Sequence, residues 1–342
     1  MHNPSRESVQ SIYAGTGISA SNGKRILALK ELLGTIALQG YKFTTVTPVT
    51  HERFLLRSDG IAKNSRDIFG WSLPFKPEVL SPLVFELMLQ ADLLINSGDY
   101  WLSKIRISSL DNDLFLHSRF PTNHAQSVFF GPDTYRFARF IKQTLKTLQP
   151  QSDFAALHSP LKVLDVGCGS GAGGIAVIRS LSNQQTYELN LNDLNPIALD
   201  YAVVCAQVAA IPATILSGDF FNIQGVEFDL IVSNPPYISD SAARLYRDGG
   251  SHYGLELSLR IVIHALNLLT PGGRLLLYTG VAMTSDEKNP LLSELIPYLA
   301  NNNFRWSYEE IDPDIFGEEL EQPAYKGVSR IAAVGFIVVR IG

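Results

Sequence analysis

Cysteine is nearly absent: Cys168 and Cys205 are the two in 342 residues. So few exclude a disulfide framework and a cysteine-built zinc site. Long apolar runs are missing too. None reaches the ~18 residues of a membrane span, and the start, MHNPSRESVQ, does not read as a secretory signal. A cytoplasmic protein is the expectation. Basic charge is also short, with 28 Lys/Arg against 33 Asp/Glu and a net charge of −5. The first 127 residues hold 13 basic against 11 acidic side chains, and the remainder 15 against 22. Strong electrostatic binding to nucleic acid needs a more basic face, so that class is demoted but not removed. What is present, 46% hydrophobic and 18% charged residues, suits a folded enzyme of two domains rather than a disordered or fibrous chain.

The first 20 residues show no periodicity and are expected to be loose. A helical pattern runs from Gly23 to about Gly40, followed by a β-leaning Phe43–Val46. Glu78–Ile95 reads as a second helix, and Trp101–Ile107 and Leu114–Ser118 flank a hairpin turn at Leu110–Asp113. Helices and strands occur here without βαβ alternation, so residues 1–122 are read as a small α+β accessory domain that recognises substrate. Beyond Pro121 the pattern changes. Strand-like Lys162–Val166, Tyr187–Asn192, Ala213–Leu216, Asp229–Val232 and Gly273–Thr279 alternate with helical Gly173–Leu181, Pro196–Ala210 and Ser258–Leu269. That order predicts an α/β domain over 123–342 with a mostly parallel, doubly wound sheet. Trp306–Ile311 and Val334–Ile341 add an antiparallel pair at its edge, making seven strands.

Val163-Leu164-Asp165-Val166-Gly167-Cys168-Gly169-Ser170-Gly171 is a strand entering a glycine-rich turn before a helix. Glycines there bend the backbone and let it approach a ligand without a Cβ in the way. The spacing alone does not separate nicotinamide, flavin and S-adenosylmethionine folds. Asp165 does: a carboxylate two residues before the first glycine can face an ammonium but repels a pyrophosphate. Ala172 also stands where the dinucleotide pattern has its third glycine. Both features favour S-adenosylmethionine. The second strand delivers Asp193 and Leu194, an acid placed for ribose hydroxyls. The third delivers Asp219 and Phe220, suited to an adenine amine and its ring. Each acid taken singly reads equally well as a helix cap; three at successive strand ends point to a ligand.

The fourth strand delivers Asn234-Pro235-Pro236-Tyr237. An amide or aromatic amine nitrogen is a poor nucleophile because its lone pair is delocalised. The Asn234 side-chain oxygen and the Pro235 carbonyl can accept its two N–H groups and turn the lone pair toward a sulfonium methyl. The prolines stiffen the loop, and Tyr237 can stack on a planar amide or base. No metal or covalent intermediate is needed.

In this motif the chain resembles the amino-methyltransferases with (Asp/Asn/Ser)-Pro-Pro-(Tyr/Phe) after the fourth strand, and most of all the HemK-like protein-glutamine methyltransferases. The likeness covers roughly residues 128–280 and implies a Rossmann-like class I methyltransferase domain acting on protein glutamine. The same motif serves exocyclic amines of RNA or DNA bases, and a small-molecule amine or amide is a third acceptor. A non-catalytic S-adenosylmethionine-binding scaffold is the non-enzyme alternative, against which the intact motif speaks. Val128-Phe129-Phe130-Gly131-Pro132-Asp133-Thr134 is similar to the segment leading into that family's catalytic domain, with Gly131 replacing an arginine and Tyr135 an acid. Leu276-Leu277-Tyr278-Thr279-Gly280 stands where the family has Leu-Leu-Leu-Glu-Ile-Gly.

Residues 309–321 hold seven carboxylates and no base. They read as a solvated loop, or as a segment that meets a cationic substrate. His252 is a candidate proton acceptor, though a loop histidine without a visible partner is more often a bystander.

Overall fold

The computed structural model describes residues 20–148, 160–240, 244–286, 288–300 and 303–341. The segment 1–19, where loose structure is expected, lies outside them. The described residues form two compact units: one drawn from Met1–Thr122 with Val203–Thr214, the other from Asn123–Ala202 with Ile215–Gly342.

In the first unit, α1 (Ala20–Leu38) buries Ile26, Leu29, Leu32, Leu33 and Ile36 along one face at helical spacing. Thr47 caps α2 (Pro48–Leu55) and Asn64 caps α3 (Ser65–Phe69). The helix expected over Glu78–Ile95 is shorter. Ser81 accepts from the Val84 amide at 3.3 Å and Pro82 opens α4 (Pro82–Gln90), which packs on α1. A proline at that point cannot continue the 3₁₀ turn Pro77–Val79 as an α-helix. After Asp92, at φ 54°, the chain turns extended.

Leu94 and Ile95 belong instead to β1 (Leu94–Ser97), paired antiparallel with β2 (Tyr100–Ser103). Next come β3 (Ile105–Leu110) and β4 (Asp113–Ser118), the expected hairpin. Its first strand begins later than the pattern suggested because Lys104 donates its amide to Leu93 instead. Phe43–Val46 is extended but not a strand. The Ser109 amide donates to the Phe43 carbonyl at 2.8 Å, while the Phe43 amide donates to the Ser109 side chain at 3.1 Å, so no backbone ladder forms.

From Asn123 the chain forms α5 (Pro132–Leu148), then β5 (Leu161–Val166), α6 (Ala172–Ser180), β6 (Tyr187–Asp193), α7 (Pro196–Val208, counted with the second unit as far as Ala202), β7 (Thr214–Ser217) and β8 (Phe228–Ser233). It closes with α8 (Glu256–Ala265), β9 (Leu269–Thr284), α9 (Pro290–Leu299), β10 (Phe304–Asp312) and β11 (Val328–Arg340). The sheet order is β10-β11-β9-β8-β5-β6-β7. Pairings β6–β5, β5–β8 and β8–β9 are parallel, whereas β11 runs antiparallel to β9 and β10. β8 is buried along its whole length, as suits a central strand with apolar Leu230–Val232 at its middle. The chain moves from β5 toward β6 and β7, then crosses back to β8 and β9. The order therefore reverses at β5, where ligands of such sheets bind beyond the carboxyl ends of the strands. Among the described residues no helix is long and apolar enough to cross a membrane.

Candidate active site

The glycine turn sits at that reversal. Gly167, Gly169 and Gly171 adopt φ of 64°, 54° and 84°, a region that side chains with a Cβ rarely enter. Gly171 leads directly into α6. A Cβ placed on Gly167 would meet nothing within 4 Å, so the turn offers bare backbone to the space beside it.

Asp193 fastens this turn. One carboxylate oxygen accepts from the Gly169 amide at 2.9 Å and the other from the Asn195 amide at 2.8 Å. The cap of α7 is Asn195, whose side-chain oxygen accepts from Ile197 at 3.0 Å. Asp193 therefore does not end its work as a helix cap: it ties two strand ends together beside the cavity, and burial raises its pKa above the ordinary carboxylate value. Asp219 does act as a cap, accepting from the Phe221 amide at 3.0 Å to open the short turn Phe220–Asn222. Asp165 is buried, and its carboxylate accepts from the Gly174 amide at 2.7 Å in the first turn of α6. Burial outweighs that bond and pushes its pKa up to about 7. The acid expected to face an ammonium thus sits near neutrality, ready to ionise when a cation arrives.

A cavity joins these groups. Asp165, Gly167, Cys168, Gly169, Asp193, Leu194, Asp219, Phe220, Asn234, Pro235 and Pro236 all line it. Phe220 is buried edge-on against His264 at 4.9 Å, which fixes the ring at the wall. Cys168 and Cys205 are both buried free thiols. The Asn234 Oδ1 is shielded from solvent and has no hydrogen-bond partner.

Tyr237 is the exception to the expected constellation. It is buried and does not line the cavity. Its hydroxyl is hydrogen-bonded to Asp133, which also accepts from the Tyr278 hydroxyl at 2.7 Å and pairs with Arg136 at 3.2 Å. Its ring lies edge-on to Tyr278 at 6.5 Å and to Phe316 at 6.0 Å. Stacking on a substrate is therefore not the position it holds. It braces the loop from behind, drawn there because a buried carboxylate needs donors. His252 sits at φ 54° in the exposed turn Ser251–Gly254, away from the cavity wall.

Other parts of the wall were not among the expected site residues. Ser127–Phe130, Thr134 and Phe137 contribute from the start of α5 and the segment before it, and Leu245, Tyr246, Leu257 and Ile261 from beyond the Asn-Pro-Pro-Tyr loop. The aromatic pair before Gly131 was the one available signal. The acidic stretch 309–321 is partly neutralised: Asp312 pairs with Arg136 at 2.8 Å, Glu310 with Arg330 at 2.9 Å, and Glu319 with Arg247.

Residues 144–300 match the methyltransferase small domain family. Three relatives bear names that fit this. A release factor glutamine methyltransferase of Moorella thermoacetica is 31% identical over 48% of this chain and 58% of its own length. One of Lactococcus lactis is 26% identical over 64% of this chain and 85% of its own. A ribosomal RNA small subunit methyltransferase C of Erwinia tasmaniensis is 36% identical over 35% of this chain and 34% of its own. The chain thus spans little more than half of the first relative and a third of the last.

The crossover at β5, the strapped glycine turn and this match define a class I S-adenosylmethionine-dependent methyltransferase domain. Within that class it is similar to the catalytic domain of the HemK-like release factor glutamine methyltransferases. The residues present fit S-adenosylmethionine: open glycine backbone, a carboxylate poised for a cation, and an unpaired buried acceptor at the far wall.

Proposed function

We propose that the protein transfers a methyl group to a planar nitrogen, and that its acceptor is a protein glutamine side chain. The observation that carries this reading is the Asn234 Oδ1, a buried acceptor with no partner at the cavity wall. A buried polar atom left unsatisfied costs about 1–3 kcal/mol, a cost that an incoming N–H donor removes. Pro235 adds a carbonyl beside it and no competing N–H. Together they hold an amide nitrogen and free its lone pair for in-line attack, which is catalysis by orientation. When bound, S-adenosylmethionine supplies the electrophilic methyl on its sulfonium. Asp165, the Gly167–Gly169 backbone, Asp193, Leu194, Asp219 and Phe220 are the groups that would hold it.

The names of the glutamine-methylating relatives support the acceptor. The ribosomal RNA relative supports a second reading, an exocyclic base amine, which the acidic balance of the chain disfavours. The first unit is assigned the task of presenting the substrate. Two buried free thiols suit the reducing cytoplasm.

The test is incubation of protein, nucleic-acid and small-molecule fractions, and of purified bacterial release factor, with methyl-labelled S-adenosylmethionine. Label on a glutamine nitrogen supports the reading. Label confined to nucleic acid or small molecules moves the acceptor, and no label anywhere, with cofactor bound, returns the scaffold.

A further inference from the structure

Tyr237, the motif's stacking residue, is turned away into the Asp133 network, yet the cavity is not without aromatic rings near the Asn-Pro-Pro-Tyr loop. Phe129 and Tyr246 both line it, half-buried, with ring centroids 6.3 Å apart and planes within 12° of parallel. They come from opposite sides in sequence, one before α5 and one after the motif.

Each is held in place. Residues 247–249 are strapped to the motif loop, because the Ile238 amide donates to the Arg247 carbonyl at 3.2 Å and the Gly249 amide to the Ile238 carbonyl at 2.8 Å. Arg244 lies over the Tyr246 ring at 5.7 Å and donates to its hydroxyl at 3.3 Å. Asp240 in turn grips Arg244 with both carboxylate oxygens, at 2.7 and 2.6 Å. On the other side, the Phe129 ring lies over Gly131. A Cβ there would come within 2.5 Å of the ring's Cζ, so only glycine leaves that place open. The family's arginine at this position would displace the ring.

We infer that Phe129 and Tyr246 determine acceptor specificity, their two rings forming an aromatic wall against which the planar carboxamide of a protein glutamine packs so that its nitrogen is offered to Asn234. This rests on the glutamine reading above. Charge favours an uncharged peptide group over a nucleic-acid strand. The two arginines of the strapped segment are engaged, Arg244 by Asp240 and Arg247 by Glu319, while Leu245 beside them stands half exposed. A phosphate backbone asks for free cations at that rim; an apolar rim suits a peptide.

The experiment uses the full chain, purified release factor and methyl-labelled cofactor, with S-adenosylhomocysteine affinity measured alongside. F129A and Y246A should each raise KM for release factor roughly 5- to 10-fold, the scale of a lost aromatic contact, with S-adenosylhomocysteine affinity within about twofold. Y246F should restore the wild-type KM. G131A should copy F129A without removing any ring, by pushing it aside. Unchanged KM in F129A and Y246A, with Asn234→Ala inactive, overturns this inference and leaves the glutamine reading intact. Failure of the wild type to label release factor, with label on an RNA oligonucleotide, overturns both. A weakened S-adenosylhomocysteine affinity equal to the rise in KM would make the pair part of the cofactor site and also overturns the inference.

Discussion

Each unit of this protein buries a polar atom without a partner, and what surrounds each atom differs. In the first, His51 donates through Nε2 to the Trp71 carbonyl at 3.0 Å, leaving Nδ1 bare. The imidazole is stacked on Phe120 at 4.1 Å and edge-on to Trp71 at 5.2 Å, so rings fill the space around it. In the second, the bare Oδ1 of Asn234 belongs to a residue that lines a cavity. One cost is absorbed by packing and keeps a histidine neutral. The other belongs to a half-buried side chain at a cavity wall, whose amide has only to turn to present it to a ligand. Burial alone does not mark a site; the neighbours of the unsatisfied atom do.

The largest expected effect breaks the comparison at Asn234. Asn234→Ala should lower turnover on release factor about 10²–10³-fold, the usual loss when one preorganised hydrogen-bonding group is removed. Cofactor affinity and melting temperature should change little, because no native hydrogen bond to Oδ1 is lost. A melting temperature that falls with activity would make Asn234 structural, like His51.

Next comes the pH dependence of the first unit. Burial, then the nearby Arg106 charge, hold His51 down to about 4, and His117 is shifted the same way. A folded-state pKa below the unfolded value of 6.5 means stability that is present above pH 6.5 and lost as pH falls toward 4. For His51 this amounts to something on the order of 3 kcal/mol. Urea melts from pH 7.5 to 4.5 should weaken for the wild type and less steeply for His51→Gln. Identical slopes would remove the histidine from the account.

Asp193→Ala should weaken S-adenosylhomocysteine binding by roughly 1–3 kcal/mol, the range for hydrogen bonds to a charged group. The Gly169 and Asn195 amides also lose their acceptor. Titration calorimetry giving wild-type affinity would make the strap dispensable.

The smallest effect sharpens the contrast in sign. Asp165 is raised to about 7, so its contribution to stability is fully present below the unfolded value near 3.8 and is lost as pH rises through 7. That is opposite to His51. A bound ammonium favours the carboxylate, so affinity for S-adenosylmethionine should improve between pH 5.5 and 7.5, by at most about tenfold per pH unit. Asp165→Asn should flatten this profile; a slope that survives assigns it to another group.

Much of the sheet was legible in the sequence because β5, β8 and β9 carry short apolar stretches (Val163–Leu164, Leu230–Val232, Leu275–Leu277), β6 alternates apolar and polar residues, and β5 and β6 run into a glycine and an acid. The glycine turn and the Asn-Pro-Pro-Tyr loop were legible for the same reason: their chemistry is consecutive in sequence. The position of Tyr237 was not, because its partners Asp133 and Tyr278 lie far from it in sequence, on either side, in a network that no local pattern encodes. Nor was β1, since Leu94 and Ile95 continue the apolar spacing of α4 and only the turn at Asp92 separates them. Tyr246 carried no signal at all. Its role comes from the strap between Ile238 and Gly249, a loop geometry written in backbone hydrogen bonds.

The insertion of β11 between β9 and β10 has a consequence for biosynthesis. On the ribosome β10 emerges first, yet its sheet neighbour is β11, which follows it. Until Val328–Arg340 is made, β9 keeps an open hydrogen-bonding edge along a 16-residue strand whose Leu275–Met283 stretch is apolar or neutral and wholly buried in the finished fold. Such an edge recruits other strands. Chains interrupted after Asp312 should therefore be aggregation-prone nascent species, and the order of synthesis leaves the last strand to act as the molecule's own protection against its neighbours.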